Sequence, residues 1–115
     1  MSVEVVARDF VGRMDGCDWE GVATLLAPDF RGEHVHDGSV FGRDDWVAFN
    51  TEHSVQVRFV LEDLVAAGEC AILRSHVSNG EGLFHVVSFL TVTGGLITEL
   101  VEVWTDQIAT PEENQ

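Results

Sequence analysis

The side chains of this chain that could move a proton fall in two short stretches. In Glu33-His34-Val35-His36-Asp37, an extended backbone turns His34 and His36 to one face with Phe30 and Gly32, leaving Arg31, Glu33 and Val35 on the other. Imidazole is the side chain whose charge changes nearest neutral pH, and a carboxylate brought beside it would complete an acid/base pair. The second stretch is Gly82 to Asp106, where Glu99, Glu102 and Asp106 interrupt an otherwise apolar arm. Burial among groups such as Leu100 and Trp104 disfavours the charged form of a carboxyl group, which suits an acid or base working near neutrality. Glu102 is therefore the first candidate; the competing reading is a salt-bridged or exposed strand residue. Glu99, of opposite parity, reads as solvated or at a dimer face. Two histidines two residues apart could ligate a metal, but no third ligand stands at a fixed spacing, so neither metal nor cofactor is expected. Ser88 lacks a nucleophile-elbow context, and the chain has no Gly-rich phosphate loop or dinucleotide fingerprint.

The elements that must position these groups can be read in order. Val3, Val6, Ala7, Phe10, Val11 and Met14 make one helical stripe that Asp15-Gly16 ends. Asp18 caps a second helix, predicted over Trp19–Ala27 and stopped by Pro28. Asp29–His36 reads as a strand, Asp37-Gly38-Ser39 as a turn, and Gly42-Arg43-Asp44 opens a third helix to about His53. Trp46, Val47, Phe49 and Asn50 of that helix are spaced to meet the core. Alternation then predicts strands over Val55–Val65 and Cys70–Ser78, and Asn79-Gly80-Glu81-Gly82 turns into a long hairpin around Thr93-Gly94-Gly95. A three-residue loop with Gly95 in a left-handed bulge would pair Val92 with Leu96 and even residues with even, setting Phe84, Val86, Ser88 and Leu90 on the face of Leu100, Glu102 and Trp104. A two-residue loop would instead oppose Val87 to Glu102 and turn the face over; the first register is preferred. Helices gathered at one end of a mainly antiparallel meander define an α+β domain. One such domain, 1–108, accounts for the chain, with a polar tail over 109–115.

The formal charge of −14 arises from 20 acidic residues against six arginines. Such a surface repels phosphate backbones and anionic lipids, so neither nucleic acid nor a membrane is expected as a partner. The opening Met1-Ser2-Val3-Glu4 shows no basic and apolar leader pattern, and Cys17 and Cys70 are widely spaced. Both read as reduced thiols, and the expected location is cytoplasmic.

The chain resembles the nuclear transport factor 2-like (NTF2-like) superfamily, and within it the SnoaL-like group related to ketosteroid isomerases and polyketide cyclases. The resemblance is carried by Phe10-Val11, by Asp18-Trp19-Glu20 leading to Leu25-Leu26-Ala27-Pro28-Asp29-Phe30, by Phe41-Gly42-Arg43-Asp44, and by Gly95-Leu96-Ile97-Thr98-Glu99 with Val103-Trp104-Thr105-Asp106. It implies a cone: three N-terminal helices on a strongly curved, mainly antiparallel sheet, an apolar pocket at the open end, and a homodimer formed through the outer sheet face. It also implies an acid and a base facing that pocket. Matching through the Gly-Gly turn puts Ser88 where relatives carry His or Asp and Glu102 at the second position, while counting back from Gly42 puts Glu33, with His34 beside it, at the isomerase carboxylate. Either of these could point inward.

The function expected is that of a small-molecule pocket protein, an isomerase, cyclase or dehydratase acting without cofactor on a hydrophobic carbonyl compound. Glu102, His34 and Glu33 are the proton-carrying candidates. His36, Ser88, Trp46, Phe49, Phe84 and Trp104 are the candidates for contacting substrate, the four aromatic residues as core or pocket wall. The alternative is a noncatalytic ligand-binding or dimerisation module.

Overall fold

The computed structural model describes residues 2–53, 57–79 and 82–105. Helix α1 spans Val3–Asp15; the Ser2 side chain accepts from the Val5 N–H at its start, and the Gly16 N–H closes its end on Gly12 O. Its buried stripe is Val6, Ala7, Phe10, Val11 and Met14, the spacing the sequence predicts.

Helix α2 is shorter than expected. It spans Trp19–Ala23, capped by the Asp18 carboxylate on the Gly21 N–H at 3.0 Å, and strand β1 already begins at Leu26. Proline disfavours the helical conformation in the residue before it, so Ala27 is extended, and Leu26, Ala27 and Phe30 are worth more buried in the sheet than on a helix face. Pro28 itself sits inside β1, Leu26–His34, where the register shifts between Leu26 and Arg31, a place where its missing N–H leaves no ladder bond unmade. The chain then turns over residues 35–38 into β2, Ser39–Phe41, a three-residue strand too short to register as a pattern.

Helix α3, Arg43–His53, buries Trp46 and Asn50. Strands β3 (Arg58–Ala67), β4 (Cys70–Ser78), β5 (Leu83–Thr93) and β6 (Leu96–Trp104) complete one six-stranded sheet in the order β2-β1-β6-β5-β4-β3. Among the described residues, every pairing is antiparallel except β1 with β6. The predicted strand start at Val55-Gln56, the Gly80-Glu81 turn, Asp106 and the tail lie outside the described residues.

The hairpin reaches the expected facing by a different route. Its loop is the two-residue Gly94-Gly95, both at positive φ (62° and 83°), and Val92 pairs with Ile97 rather than Leu96. The register then shifts between Val92 and Thr91, so that Thr91 meets Glu99, Leu90 meets Leu100 and Ser88 meets Glu102. Thr98 is the extra residue of a β-bulge, its hydroxyl donating to Thr91 O at 3.3 Å. Because the bulge advances the strand by one, Ile97 and Leu100 both reach the core despite opposite parity.

The helices cover the inner sheet face. Phe10, Trp19 and Phe30 surround Trp46 with ring centroids 5.9, 6.5 and 5.9 Å away, and Leu73, Leu90, Ile97 and Leu100 continue the core along the strands. Gly32 lets Trp46 lie against β1: a Cβ there would stand 2.9 Å from Trp46 Cδ1. Among the described residues, no helix is long and apolar enough to cross a membrane.

Candidate active site

The parallel pairing of β1 with β6 sets His34 directly beside Glu102. The Val35 N–H donates to Glu102 O at 3.0 Å, fixing the two backbones just past the pair. Both residues face inward, and His34 Nε2 lies 3.2 Å from Glu102 Oε1, with side chains only 9% and 3% exposed. The Glu102 carboxylate, through its hydrogen bond and its charge, holds the His34 pKa above the ordinary imidazole value; burial opposes the shift, and the charge of Asp37 adds to it. Aromatic rings enclose the imidazole, with Phe41 at 5.3 Å and Phe49 at 5.5 Å.

His34 forms part of the wall of a cavity of about 230 Å³ between α3 and the sheet. Phe49, Val57, Phe59, Phe84 and Trp104 make the apolar walls, while His36, His53 and Asn79 supply polar groups. Glu102 does not reach the cavity lining. It stands behind His34, so the histidine is the group presented to a ligand and the carboxylate is the group that holds it. With Nε2 on Glu102, Nδ1 is the nitrogen left to exchange a proton. This arrangement can polarise a carbonyl or take a proton from a carbon beside one.

The other sequence candidates divide. Ser88 pairs with Glu102 in the strand register and is buried, so Ser88, Glu102 and His34 form one inward-facing row across β5, β6 and β1. Like Glu102, Ser88 does not line the cavity. His36 does, stacked on His34 at 5.7 Å and 3.7 Å from Asp37. Phe49, Phe84 and Trp104 line it as well, but Trp46 belongs to the core around Phe10. Glu33 is not brought to the pair; strand alternation turns it to the opposite side of β1, where Arg31 holds it at 3.2 Å. Glu99 is exposed, as its parity implies.

Sequence reasoning missed His53 and Phe59 as cavity residues. His53 follows Phe49 by one helical turn and stacks on it at 4.4 Å, so the helical spacing from Phe49 was the available signal. For Phe59 it was the parity shared with Val57. Among the described residues, no group of three or more His, Cys, Asp or Glu side chains is arranged to hold a metal ion.

Residues 7–100 match the SnoaL-like domain family model. No curated protein matches the sequence. Among solved structures, a candidate ketosteroid isomerase from Kribbella flavida is 28% identical with a TM-score of 0.86, over 95% of this chain and 82% of that one. IdmH, a candidate polyketide cyclase from Streptomyces antibioticus, is 13% identical with a TM-score of 0.80, over 90% and 92%. An LEH-like epoxide hydrolase from M. tuberculosis is 18% identical with a TM-score of 0.75, over 90% and 82%. Helices on a six-stranded, mostly antiparallel sheet that stays open, together with a family match across most of the chain, make this protein a member of the SnoaL-like family with the NTF2-like fold.

Proposed function

We propose that the protein is an enzyme that moves protons on a compact hydrophobic carbonyl compound without a cofactor, with His34 as the catalytic residue and Glu102 as the residue that positions it. The observation that carries this reading is the buried His34–Glu102 pair set in the wall of an apolar cavity. Neutral His34 takes a proton from a carbon next to the carbonyl; the C–H electron pair moves into the enolate. Glu102 stabilises the imidazolium that results. Return of that proton to another carbon isomerises the substrate. The raised pKa makes His34 a stronger base than free imidazole while leaving a smaller neutral fraction at pH 7. Likeness to a candidate ketosteroid isomerase and a candidate polyketide cyclase agrees with chemistry of this type. The test is deuterium exchange into small cyclic and aryl ketones in D₂O, followed by NMR. Exchange by the wild type that His34→Gln abolishes is expected; equal rates in the two proteins would sink the reading.

A second copy of the chain as partner is favoured by one observation. Ile72 and Phe89, paired across β4 and β5, are exposed on the outer sheet face together with Val103. Arg31 and Arg74 share that face with Glu33 and Asp63, so a twofold contact would bring opposite charges together around an apolar centre. Light scattering on the wild type and on Phe89→Glu tests this: a dimer that dissociates in the variant is expected, and a wild-type monomer at micromolar concentration excludes it.

A further inference from the structure

The cavity also says what size and polarity of molecule it takes, an inference that rests on the acid/base reading above. Its volume of about 230 Å³ falls below the roughly 300 Å³ at which pockets for drug-sized ligands begin. At the roughly 30 Å³ that one water occupies in the liquid, it holds on the order of ten non-hydrogen atoms. That is one ring with short substituents; a four-ring skeleton would extend well beyond the cavity.

Two of the polar lining groups, His34 and His53, sit on two sides of Phe49. His34 meets the Phe49 ring at 5.5 Å, edge to face, and His53 stacks on it at 4.4 Å. His53 Nδ1 is 2.8 Å from Phe49 O, a carbonyl that can only accept, so the ring proton of neutral His53 is on Nδ1. Nε2 of His53 is then an acceptor, and His53 is part of the cavity lining. A ligand whose carbonyl faces His34 therefore meets a hydrogen-bond acceptor, not a donor, at the His53 side.

We propose that this pocket selects a one-ring ketone or aldehyde bearing a hydroxyl group, phenolic or enolic, across the ring from its carbonyl, and that His53 is the specificity-determining residue that accepts the hydroxyl proton. The hydroxyl distinguishes the substrate from its deoxy analogue, because only the hydroxylated compound uses the His53 acceptor.

Calorimetric titration with 4-hydroxyacetophenone, acetophenone and a four-ring ketosteroid tests both halves, on the wild type, His53→Phe and His53→Gln. His53→Phe keeps a ring on Phe49 and removes the acceptor; His53→Gln keeps an acceptor. For the wild type, Kd for the hydroxylated ketone is expected to be about two- to tenfold lower than for acetophenone, the range of one net hydrogen bond. That preference should vanish in His53→Phe and return in part in His53→Gln, and the ketosteroid should not saturate the protein. Equal Kd for the two small ketones, or a preference that survives in His53→Phe, overturns the hydroxyl assignment; saturable ketosteroid binding overturns the size assignment. Either failure, with deuterium exchange still lost in His34→Gln, leaves the acid/base reading standing. Absence of binding by all three compounds together with absence of exchange removes both.

Discussion

His34 and Glu102 are opposite neighbours on β1 and β6, the only parallel strand pair among the described residues, Nε2 to Oε1 at 3.2 Å, although 67 residues of chain lie between them. The carboxylate is set behind the imidazole, so proton chemistry at the cavity passes through the histidine.

Removing the carboxylate should therefore be visible in the histidine. In Glu102→Gln, the His34 titration followed by NMR should move to lower pH than in the wild type, because the group that raises it has become neutral. The stability consequence has a defined sign. A histidine with a raised folded-state pKa adds stability that is fully present below about pH 6.5, the unfolded value, while Glu102 stays ionised. It fades as pH rises through the folded pKa. The wild type should exceed Glu102→Gln by about 1.5–3 kcal/mol near pH 5.5 in denaturant melts, and by less at pH 8.5. A gap that widens with pH would contradict the pairing.

Turnover should separate the two roles. His34→Gln is expected to lower kcat by roughly 10²–10⁴-fold, the usual contribution of a positioned acid or base. Glu102→Gln, which removes the carboxylate that raises the His34 pKa, should shift the pH profile of kcat/KM to lower pH with a far smaller loss of rate. Rates for both variants against pH check this.

Glu33 was a catalytic candidate from family spacing, and its position makes a clear contrast. Its ion pair with Arg31 is partly solvated and lies on the face away from the cavity, so Glu33→Gln should change stability by no more than about 1 kcal/mol and leave turnover within about twofold. A large loss of activity would mean that the carboxylate reaches the substrate after all.

The bulge at Thr98 can be tested by deleting it. Deleting Thr98 removes the extra residue and leaves a continuous ladder in which Val92 still meets Ile97, Thr91 still meets Glu99 and Ser88 still meets Glu102, so the carboxylate keeps its inward direction. The deletion variant should keep the upward shift of the His34 pKa, and with Leu100 still in the core it should keep most of the wild-type stability. NMR titration and urea melts check both.

Gly32 is predicted to be intolerant. In Gly32→Ala the new Cβ would meet Trp46 Cδ1 at 2.9 Å and the Phe30 ring at 3.0 Å, both in a packed core. The variant should be destabilised by about 1–3 kcal/mol, measurable by thermal unfolding.

Much of this protein is written locally in its sequence. The stripe of α1, the Asp18 cap, the alternation of β4 and the Gly94-Gly95 turn each follow from residues close together in the chain, because helical and strand periodicities and turn chemistry are local properties. The candidate pair was legible as two residue types with inward parity, His34 and Glu102, but their contact was not. Parallel pairing of β1 with β6 involves no hairpin that could announce it, and Pro28 looked like a helix stop until the sheet drew Leu26 and Ala27 into β1. The inward direction of Glu102 likewise hangs on a bulge at Thr98 that no short pattern marks. Which of Glu33 and His34 faces the cavity, that His34 rather than Glu102 lines it, and that His53 lies beside it were decided only by tertiary packing, since each depends on how strands and a helix distant in sequence settle against one another.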